Sequence, residues 1–202
     1  ISIVNLAAGR FDFGAEADDY YRLNVLAHSK FLKSLECINI KRFVHISSVA
    51  SIDGSRISYS SELGCDDAYR STKFLQEKLI QDWCVKRDIE LVVLYPSAIF
   101  SVEARSDTNI GKMQKLCRFL PFVPNIPVDK TLTFLPNFSK FILEALKDKF
   151  NPGSYLTVEQ PILDVTEMVK ILSGGNKSVI NIPFFRNLLV GVSNILYMLG
   201  GF

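Results

Sequence analysis

The chain has 202 residues, 48% hydrophobic and 22% charged, with a formal net charge of +2. This is ordinary globular composition, enough for one sizeable core, and with no Lys/Arg run it argues against nucleic-acid binding. Cys37, Cys65, Cys84 and Cys117 are scattered, and His28 and His45 stand apart from them. That pattern argues against a zinc site or a disulfide framework and for reduced thiols in a cytoplasmic protein.

In chain order, Ile1 to Leu6 is an apolar run read as a strand buried on both faces, ending at Ala7-Ala8-Gly9. It has no basic flank or cleavage pattern, so it is not a signal peptide. A chain that opens on a core strand is expected to lack what precedes it. Asp18 to Leu35 has helical spacing, with Tyr21, Val25, Leu26, Leu32 and Leu35 near one stripe. Arg42 to Ser47 is the next strand, and a loop rich in Ser, Gly and Asp runs from Ser48 to about Asp67. Tyr69 to Lys86 is a long helix with Leu75, Leu79 and Trp83 expected on its buried side. Glu90 to Leu94 is a third strand, stopped by Pro96. Lys41-Arg42 and Lys86-Arg87 are read as solvated corners where helices end and strands begin.

Strand–helix–strand–helix–strand with long helices implies right-handed crossovers and a parallel sheet. After Phe100 the rhythm changes. Ser101 to Asp129 is irregular, with a helix expected near Met113 to Phe119. Asn137 to Lys147 reads as a helix and Gly153 to Val158 as a strand. Asp164-Val-Thr-Glu167 is a capping-box-like start to a helix ending near Leu172. Phe184 to Phe202 is apolar but carries Arg186, Asn187 and Asn194. It is read as a buried or interface helix; membrane contact through 184–202 is the less favoured reading, and an effect of where the sequence ends is the third.

The sharpest chemical signal is Tyr69-Arg-Ser-Thr-Lys73, which puts a phenol and an ammonium on one helix face. A nearby cation favours phenolate, so Tyr69 is a candidate general acid/base. The competing reading is a half-buried Tyr beside a surface Lys paired with Glu77. Ser47-Ser48 falls at the end of a parallel strand, where ligands of open α/β sheets sit. Ala7-Ala8-Gly9 and Tyr95-Pro96-Ser97 would open on the same edge. Turn formation and tight packing are the alternatives for these small residues.

Asn-Leu-Ala-Ala, then Asn24-Val25 in a helix, Phe-Val-His-Ile-Ser-Ser, Tyr-x-x-x-Lys and Leu-Tyr-Pro-Ser-Ala-Ile-Phe, in that order, resemble the extended short-chain dehydrogenase/reductases, the NAD-dependent epimerase/dehydratase family. The likeness is good over Ile1 to Phe100 and looser to about Leu172. It implies an incomplete Rossmann-like parallel sheet over 1–100 and a small α/β substrate-binding part over 101–202. By resemblance Tyr69 is the acid/base and Lys73 binds the nicotinamide ribose. Ser48 orients the substrate oxygen, with Ser47 as the alternate. Asn24 lies near the reaction and the cofactor, and Ala7, Ala8, Pro96 and Ser97 contact the cofactor, NAD or NADP. No metal is implied.

The implied activity is that of an oxidoreductase or epimerase acting on an alcohol carbon of a nucleotide-activated sugar. A steroid- or flavonol-type alcohol dehydrogenase, or a non-catalytic nucleotide-binding scaffold, are the alternatives. A homodimer is compatible with the pattern. Two departures stand out: there is no G-x-x-G-x-x-G loop, and Tyr95 takes a place where many members have Arg. The stretch from Ser48 to Tyr69 is also short for the family. Without the glycine loop this chain alone is expected neither to hold the cofactor nor to be active.

Overall fold

The computed structural model describes residues 1–9, 15–101, 119, 121–125, 129–160 and 162–181. Two compact units form: residues 1–97 with 137–157, and residues 98–136 with 158–202. The change at 97–98 falls close to the expected boundary near 100, but residues 137–157 return to the first unit.

In the first unit, β1 (Ser2–Asn5), β2 (Arg42–Ile46), β3 (Glu90–Pro96) and β8 (Gly153–Thr157) form a parallel sheet in that spatial order. The helical elements are α1 (Ala17–Tyr21), a π-turn (Arg22–Leu26), α2 (Ala27–Ser34), α3 (Val49–Gly54), α4 (Cys65–Lys86) and α5 (Leu135–Leu146). Alternation along the strands builds a core on each face. Phe43, Ile3 and Leu91 pack with Leu32, Ile80 and Cys84 of α2 and α4. Val44, Val92 and Leu94 face Phe138 and Ala145 of α5. Adjacent residues thus go to opposite layers, as the two-residue period of a strand requires.

Four expectations are corrected. Ile1 to Leu6 is not buried on both faces: β1 lies at the sheet edge, with Ile1 74% and Leu6 66% exposed. The stripe of the first long helix is Tyr20, Asn24, His28 and Leu32, while Leu26 is exposed; the π-turn shifts the face, and polar residues sit on it. On α4 the buried face is Thr72, Lys73, Gln76, Glu77, Ile80 and Cys84, with Leu79 and Trp83 only flanking it. Arg42 is no solvated corner. It is 3% exposed and donates to the carbonyls of Ala145 and Phe150, each at 2.9 Å, and pairs with Glu90 and Asp148.

In the second unit, β4 (Ala98–Phe100) pairs in parallel with β7 (Leu132–Phe134), and β5 (Phe122–Pro124) with β10 (Ser178–Ile180). The short β6 (Asp129–Lys130) and β9 (Leu163–Asp164) pair antiparallel. Asp164 caps α6 (Val165–Leu172), its carboxylate accepting from the Glu167 amide at 2.7 Å. Gly174 and Gly175 end that helix with positive φ. The helix expected near Met113 to Phe119 falls almost wholly outside the described residues, and the 184–202 segment falls wholly outside them. Among the described residues no helix is long and apolar enough to cross a membrane.

Candidate functional site

Because β1, β2 and β3 run parallel, Ala7, Ser47-Ser48 and Pro96-Ser97 all lie at carboxyl ends on one edge of the sheet. Over that edge α4 presents one face carrying Tyr69, Thr72, Lys73, Gln76 and Glu77, spaced by three and four residues.

Ser48 and Tyr69 meet. Ser48 caps α3, its hydroxyl accepting from the Ala50 amide at 3.2 Å, and it also hydrogen-bonds the Tyr69 side chain. Ser47, the alternate, is turned away: its hydroxyl donates to Glu77 at 2.7 Å. Burial holds the Tyr69 phenol above its ordinary value, and the Ser48 hydroxyl works against that rise. The expectation that the Lys73 charge lowers the phenol is therefore corrected. The ammonium is committed elsewhere, to Gln76 Oε1 at 2.6 Å and to the Ile46 carbonyl at 3.5 Å.

Nor is Lys73 a surface partner of Glu77. Lys73 is 2% exposed, and burial pushes its ammonium down to about 8, with the Glu77 charge opposing the shift. Glu77 is 7% exposed and accepts from Ser47, from Ser51 at 3.0 Å and from Tyr95 at 2.5 Å. Tyr95, the residue that departs from the family pattern, thereby ties the end of β3 to α4.

Asn24 is fully buried. Its Oδ1 accepts from the Gly9 amide at 2.5 Å, and its Nδ2 donates to Thr72 at 3.1 Å. It joins the end of β1 to α4 beside Lys73. Ala7 is tied to the same helix: its carbonyl accepts from Gln76 Nε2 at 2.9 Å. Pro96 ends β3 and Ser97 follows it, both buried.

The two histidines, apart in sequence, both border this network. His28 Nδ1 lies 3.1 Å from the Leu23 carbonyl, and His28 Nε2 lies 2.7 Å from Gln76 Nε2. His45 Nδ1 meets Asn5 Nδ2 at 3.3 Å, and its buried Nε2 has no partner. Burial first, then the Lys73 charge, holds His45 well below the usual histidine value. Gln76 and Ser51 were not singled out from sequence, Glu77 entered only as a surface partner of Lys73, and His28 and His45 only as isolated histidines. The signal available was the polar i, i+3, i+4 continuation of the Tyr69–Lys73 face.

The residues fit the nicotinamide–ribose end of a dinucleotide. A buried ammonium with three donors and two acceptors within the chain has capacity for a ribose hydroxyl. Beside it, the exposed Ala7 and Ala8, with Leu23, Ala27 and Phe31, line a cavity of about 320 Å³ that suits a flat ring or a ribose. The 202 residues offer no glycine-rich phosphate loop.

Residues 1–126 match the model of an NAD-binding family described as "Male sterility protein". The chain belongs to this NAD-binding family, in agreement with the extended short-chain dehydrogenase/reductase resemblance and with NAD or NADP as cofactor. No curated protein matches the sequence. Among solved structures, UDP-glucuronic acid 4-epimerase from Bacillus cereus in complex with NAD is 18% identical, with TM-score 0.66, over 90% of this chain and 62% of its own. RMD from Pseudomonas aeruginosa complexed with NADPH is 14% identical, with TM-score 0.68, over 89% and 69%. The terminal R domain from the myxalamid PKS-NRPS biosynthetic pathway is 16% identical, with TM-score 0.72, over 97% and 53%. The likenesses establish the Rossmann-like fold, and the chain spans 62% of the length of the epimerase.

Proposed function

We propose that the chain carries the reacting residues of an NAD(P)-dependent oxidoreductase or epimerase acting on an alcohol carbon of a nucleotide-activated sugar. The observation that carries this reading is the Ser48–Tyr69 hydrogen bond at the carboxyl end of β2, with Lys73 one turn along α4. A bound nicotinamide supplies the hydride acceptor or donor. Ser48 Oγ donates to the substrate oxygen and fixes its direction. Tyr69 Oη, as the phenolate, takes the hydroxyl proton as the carbon is oxidised, or, as the phenol, gives its proton to the carbonyl oxygen on reduction. Lys73 favours the phenolate so formed once its ammonium turns from Gln76 toward the ring. Burial raises the Tyr69 phenol, so it is protonated at neutral pH, the form needed to protonate a carbonyl.

The nucleotide sugar is supported by the likeness to UDP-glucuronic acid 4-epimerase, and the nicotinamide cofactor by that structure with NAD and by RMD with NADPH. A second reading, a role like that of the terminal R domain of the myxalamid PKS-NRPS pathway on a non-sugar substrate, is favoured by that structure's coverage of 97% of the chain. The test is hydride transfer in the full-length protein, followed by nicotinamide absorbance, with UDP-sugars against non-sugar alcohols and carbonyls. Tyr69→Phe is expected to lower turnover by about 10²-fold or more. Retained turnover in a folded Tyr69→Phe protein sinks the mechanism, and turnover restricted to non-sugar substrates replaces the first substrate class by the second.

A further inference from the structure

We propose that Glu77 is a positioning residue: hydroxyls hold its carboxylate clear of Lys73, and from there its charge keeps the buried amine an ammonium without occupying its donors. What this does for turnover rests on the reading of Tyr69 and Lys73 just given; the charge coupling itself does not.

The two groups sit one turn apart on the inward face of α4, both buried. A charge taken that far out of water needs an opposite charge or a full set of hydrogen bonds. Lys73 has two acceptors for three hydrogens, Gln76 Oε1 at 2.6 Å and the Ile46 carbonyl at 3.5 Å. The rest of its compensation is electrostatic. The titratable groups around the pair are Tyr69 of the same helix, His28 of α2, His45 of β2 and Tyr95 of β3. Burial raises both phenols, that of Tyr95 to about 12, and is the largest cause lowering both histidines. All four are therefore neutral near pH 7. Glu77 is the negative charge that remains, and it opposes the loss of the Lys73 proton that burial drives.

Both carboxylate oxygens of Glu77 are engaged from other elements. Ser47, at the end of β2, donates to Oε2 at 2.7 Å. Ser51 of α3 lies 3.0 Å from the same oxygen, its one hydrogen shared with the Ser48 carbonyl at 2.9 Å. Tyr95 of β3 donates to Oε1 at 2.5 Å and is itself hydrogen-bonded to Ser154 of β8. Among the described residues no hydrogen bond joins Glu77 to Lys73. A carboxylate in contact would take the donors of the ammonium and draw it along α4, away from Tyr69. A carboxylate held by hydroxyls supplies the charge and leaves the third hydrogen of Lys73 for a ligand oxygen.

The test is an NMR titration of the full-length protein, labelled at the lysine ε carbons, from about pH 6 to about pH 11. The Lys73 signal is the one lost in Lys73→Met. Glu77→Gln keeps the size and the hydrogen bonds, since hydroxyls both donate and accept, and removes only the charge. Its Lys73 midpoint is expected to fall by about one pH unit or more. Tyr95→Phe keeps the charge and frees Oε1, so the Lys73 midpoint is expected to rise as the carboxylate swings to the ammonium. A midpoint unmoved or raised in a folded Glu77→Gln protein overturns the proposal. So does one unmoved or lowered in Tyr95→Phe, which decides by itself if Glu77→Gln does not fold. A purely structural role moves the two variants the same way or not at all. None of these readings needs turnover, so an active Tyr69→Phe protein with both shifts intact refutes the proposed mechanism alone.

Discussion

Replacing Lys73 by Met removes a charge from a site that is 2% exposed and changes side-chain length little. The drop of the ammonium from 10.5 to about 8 corresponds to a cost on the order of 3 kcal/mol for holding that charge in the fold at neutral pH. Against this gain, Gln76 Oε1 loses its 2.6 Å donor, at a cost of about 1–3 kcal/mol. The 3.5 Å contact to the Ile46 carbonyl is too long to weigh much. At pH 7 the variant is therefore expected to be as stable as the wild type or more so, by about 1 kcal/mol, while losing activity.

The pH dependence is the sharper signature. Below about 8 both the folded and unfolded wild type carry the proton, and the fold bears the full cost. Between about 8 and 10.5 the folded state sheds the proton first, so wild-type stability rises relative to the variant. The assay is urea denaturation of both proteins at about pH 7 and about pH 10, since the difference between them cancels the other titrating groups. A difference that stays constant across that range refutes the reasoning, and so does a Met variant weaker by several kcal/mol at neutral pH.

Ser48→Ala removes both the cap of α3 and the group that opposes the rise of the Tyr69 phenol. A loss of about 1 kcal/mol in stability and a higher Tyr69 midpoint in ultraviolet titration are expected. Gly54→Ala puts a Cβ 2.0 Å from the Arg70 carbonyl oxygen, so α3 must lift from α4, with a loss of about 2–3 kcal/mol in urea denaturation. His45 is lowered by burial, so its contribution to stability is present above 6.5 and lost as pH falls through its folded value; His45→Leu is expected to flatten the acid side of a melting-temperature profile.

Hydrophobic period reads well where burial is apolar. The order of β1, β2, β3 and the helices between them followed from it, and so did the Tyr69–Lys73 face and the strand-end serines. It fails where burial is polar. Leu75, Leu79 and Trp83 looked like the inner side of α4 because a pattern of apolar residues cannot see that Gln76 and Glu77 find partners inside. Those partners lie far away in sequence: His28 for Gln76, and Ser47 and Tyr95 for Glu77. Arg42 was misread for the same reason, since its acceptors are backbone carbonyls of Ala145 and Phe150. The place of β8 beside β3 was equally hidden, because a strand's own residues do not name the neighbour it joins.

That place of β8 sets an order of events during synthesis. Val92 pairs with Gly153, and the whole of the second unit's first segment is made between them. At about 5–20 residues per second, a ribosome needs several seconds after completing β3 before β8 emerges. Through that interval β3 presents an open parallel edge, and Val44, Val92 and Leu94 lack the α5 side chains that cover them. An open apolar edge is a template for pairing with other chains. Pairing across so long a stretch of sequence is also slow to form once the residues exist. Nascent chains stalled before residue 153 are thus the species most exposed to aggregation and to chaperone capture, and release of the α5–β8 segment is the event that closes the first unit.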